Sequence, residues 1–438
     1  VDYDRARTGL NPSETVLTNV TVARLKKRWT FALGSTYAEG QPVLAAGVTV
    51  AGAGRIDLLF AGDDHGDFYA LDAASGAIVW RKSLGSVAIA QCTDIPDGVF
   101  GVTGSATIDR AKDRVYVADG QGKLWAFTIE SGANAPGWPS AGLSVVDDAT
   151  HDHVYGGLAL DPTGAHVYTA SGSMCDFLPW HGAVRVVDTS AAIVSATFRP
   201  YVAPAYGGGV WSLNGVAQDP RGTGALYIAT GNDQPDATDD ADSVVRLDAN
   251  ANAVAQSMPD PGGFDLDFGT TPVVANDALC ATPRLVAERK SGVLYVYDAD
   301  AIANGPAQSF VIGSSTDDGV NVTNAAYDAT RHLLFAGSGS DGPTNAHGLL
   351  AFSMQAGCTL APAWQRSIGA SGLPPSAPTI ANGVVYFADG TTLYAFDESS
   401  GTQLWSTTAG GPIFDAPTVV NGRVYFVAWD GTVSSYGL

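Results

Sequence analysis

The sequence predicts an all-β fold: one eight-bladed β-propeller of four-stranded antiparallel blades over residues 1–438, closed by pairing an N-terminal strand with the last blade. Three observations predict it. A motif recurs along the whole chain, each copy holds four strand-like runs, and one copy is divided between the two ends.

The motif is clearest in LLFAGDDHGDFYALDAASGAIVW (58–80) and VVYFADGTTLYAFDESSGTQLW (384–405). Each reads as an alternating strand, a Gly/Asp turn, a strand ending in Ala-x-Asp, a Ser-Gly turn, and a strand carrying tryptophan. Alternating apolar runs between turn residues mark short antiparallel strands. Further copies begin at RVYVADG (114–120), HVYTASG (166–172), ALYIATG (225–231), RLVAERKSG (284–292) and LLFAGSG (333–339). The last, RVYFVAWDGTVSSYGL (423–438), stops before its outer strand, and LKKRWTF (25–31) supplies one. A period of roughly fifty residues with four strands is a propeller blade. A lone blade cannot bury both faces, so blades stack into a ring that must close.

The formal net charge of −21 argues against nucleic acid and anionic membrane surfaces as partners. No apolar run is long enough to span a bilayer. A chain that starts at Val1 without methionine is read as one that has lost a leader, and a secreted or periplasmic location is expected.

Chain parity sorts the loops. Turns between the first and second strands, and between the third and fourth, fall on one face. Turns between the second and third strands, and the blade-to-blade connections, fall on the other, called the top. Cys92 and Cys175 are assigned to the top, Cys280 and Cys358 to the bottom. Four cysteines allow three pairings, and parity favours Cys92–Cys175 with Cys280–Cys358 in an oxidising compartment. No C-x-x-C-H haem motif exists. Five histidines fall on the top, and His151 and His153 are the first suspects for a copper, iron or zinc site. Polar loops also collect histidines that bind nothing.

The Ala-x-Asp-x-x-(Ser/Thr)-Gly-x-x-x-Trp repeat resembles the tryptophan-docking repeat of the pyrroloquinoline-quinone (PQQ) dehydrogenase superfamily. The opening RARTGLNPSETVLTNVTVARLKKRWTF is similar to that of its secreted polyvinyl-alcohol-dehydrogenase-like branch. The resemblance implies PQQ and calcium in a top-face pocket, an alcohol substrate (polymeric secondary alcohols included), and a separate electron acceptor. In DLDFGTTP (265–272), Asp265 matches the general base, with Asp267 as second choice. YGGGVW (206–211) offers Trp211 as the aromatic floor under the quinone, and ERKSG (288–292) offers Lys290 to polarise its carbonyl. ATGN (229–232) offers Asn232 as an oxygen ligand for calcium, with Asp265 completing the set.

The chain departs from the family in two places. The turn SGSMCDFLPWHG (171–182) lacks the expected glutamate ligand, leaving Asp176 as its shorter substitute. Where adjacent cysteines roof the quinone in the family, Cys92 is followed by Thr93. Two other readings stay open. One is a non-catalytic propeller that binds protein or polysaccharide, in which the aspartates are ordinary turn residues. The other is a histidine-liganded metal enzyme on the same fold.

Overall fold

The computed structural model describes residues 3–89, 91–201, 206–234, 240–260, 265–314, 321–369 and 371–438. Eight sheets form the ring, each built on four antiparallel strands, and in blade 7 a fifth, Leu10–Asn11, adds parallel to the inner strand. In chain order, blades 1 to 7 span residues 43–83, 107–144, 159–198, 217–257, 273–311, 326–367 and 379–408. Blade 8 combines 418–437 with the N-terminal strand Lys26–Ala32, which pairs antiparallel with Thr432–Gly437. The closure read from the split copy is therefore present. Beyond strands, the described residues hold three short 3-10 turns, and no described helix is long and apolar enough to cross a membrane.

Burial follows position within a blade. Val384–Asp389, a second strand, is buried throughout, because neighbouring blades cover both of its faces. Gln403–Thr408, an outer strand, is mostly exposed or half-buried. Apolar clusters accordingly lie between blades: Val286 and Val296 of blade 5 pack with Leu334 and Phe352 of blade 6.

The docking tryptophans explain the Ser-Gly turns. Trp80, from the outer strand of blade 1, donates its indole N–H to the Ile129 carbonyl of blade 2 at 2.9 Å. Its ring covers Gly132, whose φ is +65° and where an added Cβ would lie 2.7 Å from the indole. Trp29 and Trp364 dock likewise on the Ala73 and Glu398 carbonyls. Trp80 is 8% exposed, and truncating a buried tryptophan typically costs about 3–5 kcal/mol. Trp80→Ala is thus expected to lower the urea midpoint by a loss of that size, measured with both disulfides intact. A loss below about 1 kcal/mol would show that docking does not hold blades 1 and 2 together.

The opening segment closes the bottom of the axis. The carbonyls of Arg5, Ala6, Thr8 and Gly9 accept hydrogen bonds from the N–H groups of Gln218, Val274, Tyr327 and Ile380 in turn, at 2.7–2.9 Å. Those donors lie within the inner strands of blades 4 to 7, so the segment crosses the ring and satisfies backbone groups that would otherwise face the axial channel. Disulfides join Cys92 to Cys175 and Cys280 to Cys358, with Cα separations of 5.4 and 5.1 Å, as parity predicted.

Candidate active site

A cavity of about 560 Å³ opens at the top of the axis, and Trp211, Asp176, Asp265 and Lys290 all line it. They come from four different loops: the connection into blade 4, a turn of blade 3, the connection into blade 5 and a turn of blade 5. A smaller cavity of about 380 Å³ lies at the bottom beside the opening segment, lined by Arg5, Arg7 and Gln218 among others. None of the predicted site residues reaches it.

Lys290 is the hub. Its Nζ lies 2.5 Å from Asp265 Oδ1 and 2.8 Å from Asp267 Oδ1, and its backbone N–H donates to the Asp267 carbonyl at 3.0 Å. Burial alone would lower the Lys290 ammonium, yet Asp267 and Asp265 hold it well above the ordinary lysine range. The two aspartates differ in access. The Asp265 side chain is 35% exposed and lines the cavity, while that of Asp267 is fully buried. Asp267 Oδ2 also accepts the Asn232 backbone N–H at 3.1 Å. Asp267 is thus a strut between two turns, and Asp265 is the carboxylate that a ligand can touch.

Burial raises the Asp265 carboxyl and Lys290 offsets this only in part, so its pKa stands above the usual aspartate range. Burial, then the charge of Asp267, pushes Asp176 up to about 6, against the opposing Asn232 amide and Lys290. The Asn232 Nδ2 donates to Asp176 Oδ2 at 3.4 Å. Cys175, Asp176 and Asp265 all adopt left-handed backbone, with φ of 57, 49 and 55°. Such conformations cost energy and cluster where geometry serves a site.

Trp211 stands edge-on to Tyr155, ring centroids 5.9 Å apart. Behind it the glycines of YGGGVW and ATGN make room. A Cβ on Gly231 would lie 3.1 Å from the indole nitrogen and 2.5 Å from Asp267 Oδ2. That glycine lets the tryptophan floor and the acidic strut approach each other.

The roof differs from the family pattern. The connection from blade 1 to blade 2 makes a small hairpin, Val87–Ala88 with Val99–Phe100, and its tip carries Thr93, Asp94 and Pro96 over the cavity. Ile89, Cys92, Ile95 and Phe100 anchor it against Tyr37 and Met174. Cys92 itself is 4% exposed and does not line the cavity; its partner Cys175 does. A long-range disulfide therefore stands at the rim where the family has an adjacent pair.

The histidines are placed otherwise. His151 Nδ1 pairs with Asp148 at 2.8 Å. His153 is fully buried, accepts the Met174 N–H at Nδ1 and packs on Phe100. Burial lowers its pKa to about 4, so the ring is neutral. Among the described residues, the one trio of metal-ligating types within bonding reach is Cys92, Asp94 and Cys175, whose sulfurs are already joined.

The residues fit a quinone and a hard divalent cation. The cavity offers an indole face, one ammonium and the carboxylates of Asp176 and Asp265, with the Asn232 amide against Asp176. Both carboxyls are held above their usual range by burial and by neighbouring negative charge, a strain that a bound cation relieves. Sequence reasoning missed the facing wall: Glu39, Tyr37, Tyr155, Phe414 and Trp429. A signal for one existed, since Trp429 in VAWDG, like Trp211, stands away from the docking position of the repeat.

A family model described as outer membrane protein assembly factor BamB matches residues 14–139 and 353–437. No curated protein sequence matches the chain. Among solved structures, a quinohemoprotein alcohol dehydrogenase from Pseudomonas putida HK5 is similar at 15% identity and TM-score 0.74, covering 100% of this chain and 79% of its own. A quinohemoprotein alcohol dehydrogenase from Comamonas testosteroni gives 15% and 0.73, over 100% and 80%. BamB from Moraxella catarrhalis gives 15% and 0.62, over 94% and 100%. At these identities the likeness is one of fold.

Proposed function

Because the chain belongs to the PQQ-dehydrogenase-like β-propeller superfamily, we propose that it is a secreted or periplasmic quinoprotein dehydrogenase that oxidises an alcohol. One observation carries this reading: Trp211, Asp176, Asp265 and Lys290, drawn from four loops by sequence, line one cavity. Asp176, Asp265 and Asn232 would hold calcium, and Trp211 would carry the quinone. When bound, that pair supplies a polarised acceptor for hydride.

The chain's own residues handle the proton. Asp265 Oδ1 is held by Lys290, so Oδ2 is the oxygen left to take the alcohol proton. Its raised basicity suits that task. Lys290 keeps the carboxylate aimed and places positive charge where negative charge develops. Asp267 fixes Lys290 from behind, and the Cys92–Cys175 bridge holds the roof hairpin near Asp176. With no covalent haem motif in the sequence, electrons leave to a separate acceptor.

The match to the BamB model favours a second reading, a propeller that binds a partner and catalyses nothing. Titration of the protein with PQQ, with and without calcium, separates the two through tryptophan fluorescence. Saturable, calcium-dependent quenching that disappears in Trp211→Ala is expected for the dehydrogenase. Absence of binding under both conditions would leave the binding propeller.

A further inference from the structure

The residues used so far occupy one side of the cavity, from blades 3 to 5. The other side comes from the connections into blades 1, 3 and 8 and from a turn of blade 8, and its chemistry is different. Tyr37 and Trp429 lie with ring centroids 5.4 Å apart, and Phe414 lies 5.9 Å from Trp429. Tyr155 continues this wall to Trp211. Glu39 sits among the rings: the Tyr37 and Tyr155 hydroxyls donate to its Oε2 at 3.1 and 3.3 Å. Its Oε1 is buried without a hydrogen-bond partner, and the residue lines the cavity. Asp94 adds a carboxylate from the roof, and the one cation among the described lining residues, Lys290, is already paired with two aspartates.

Aromatic faces present negative potential, and a box of them stabilises a weakly hydrated cation. A buried carboxyl with an unused oxygen at the base adds to this. A neutral apolar group placed here would leave the Glu39 oxygen unpaired. The net charge of −21 steers cations toward the molecule as a whole.

We propose that this aromatic wall is a cation subsite, and that the alcohol oxidised at Asp265 carries an ammonium group, for which Tyr37, Phe414 and Trp429 form the box and Glu39 the counter-charge. The substrate half of this inference rests on the dehydrogenase reading; the cation site does not. The ammonium group is a handle and takes no part in making or breaking bonds.

Burial, with Asp415 adding to it, pushes Glu39 up to about 8, so without a ligand it holds a proton at neutral pH. A cation favours the ionised form and expels that proton, so affinity should strengthen from pH 6 to pH 9. The groups facing Glu39 are Tyr37, Tyr155, Asp64 and Asp415. The tyrosines stay protonated across this range, since burial raises both. Asp415, pushed up to about 6, titrates at its lower edge. Glu39→Gln should remove most of the pH dependence.

The test begins with quinone-free protein titrated with tetramethylammonium chloride against sodium chloride of equal ionic strength, read by tryptophan fluorescence. Saturable binding is expected, weakened about tenfold in Trp429→Leu and in the milder Phe414→Leu. The quinone-loaded enzyme is then given choline and 3,3-dimethylbutan-1-ol, its neutral isostere. A kcat/KM at least about tenfold higher for choline is expected. No tetramethylammonium binding, or binding unchanged in both variants, overturns the subsite. Binding with equal use of the two alcohols, or better use of a polyvinyl alcohol oligomer, overturns the substrate assignment. If no quinone-loaded enzyme forms, the dehydrogenase reading fails and takes the substrate half with it, while the first titration still decides the cation site.

Discussion

Asp265→Asn is expected to bind the quinone as the parent does and to lose turnover by about 10²–10⁴-fold, the span of general-base catalysis. Asparagine keeps the shape and an oxygen that Lys290 can still grip at the position of Asp265 Oδ1, so the cavity should survive. What disappears is the second oxygen's ability to take a proton. The pH profile supplies a further mark. Since burial holds Asp265 above the usual aspartate range, parent activity falls as pH drops through that pKa, and in the variant this acid limb should vanish. Asp267→Asn is the control. That residue is fully buried and touches Lys290 and the Asn232 backbone rather than the cavity, so stability and kcat should fall while the acid limb stays. Undiminished turnover of Asp265→Asn with bound quinone, or loss of the limb in Asp267→Asn alone, would sink the assignment of the base.

The contrast between these neighbours shows how far the sequence could be read. The parity of strands assigned both aspartates to the top, because loops in a propeller alternate between faces whatever their composition. Parity also paired the cysteines, and the Ala-x-Asp repeat gave the blades, since each tryptophan needs a glycine turn in the next blade to cover. Which aspartate faces the cavity depends on the left-handed turn at Asp265 and on the close seat at Gly231. Alternation does not encode such local geometry. Glu39 was illegible for another reason. Its neighbours, Tyr155 and Asp415, lie far away in the chain, and only ring closure brings the connections into blades 1, 3 and 8 together. The opening segment shows a family resemblance in its sequence but not its path across the axis. Its backbone bonds to blades 4 to 7 exist only once the ring has formed.

Lys290→Met is expected to have the second large effect, and on stability as well as on rate. Methionine matches the lysine's length but leaves Asp267, with no exposed side-chain surface, without a cation at 2.8 Å. Breaking one side of a buried pair costs about 3–5 kcal/mol, because the remaining charge is stranded. Asp265, at 35% exposure, adds less, since water screens it. The sign with pH follows from the charge. Stranded carboxylates in the folded variant bind protons more readily than in the unfolded chain, so the deficit should be full at pH 7 and shrink on acidification. Turnover should fall about 10²–10³-fold, the usual cost of removing one electrostatic stabiliser. Calcium then becomes diagnostic. If Asp176, Asp265 and Asn232 hold a divalent cation, millimolar calcium should restore part of the lost stability, and a chelator should withdraw it again. A variant as stable as the parent at both pH 7 and pH 5 would mean that Lys290 does not carry the acidic turns. A deficit indifferent to calcium would keep the ion pair and remove the metal from the site.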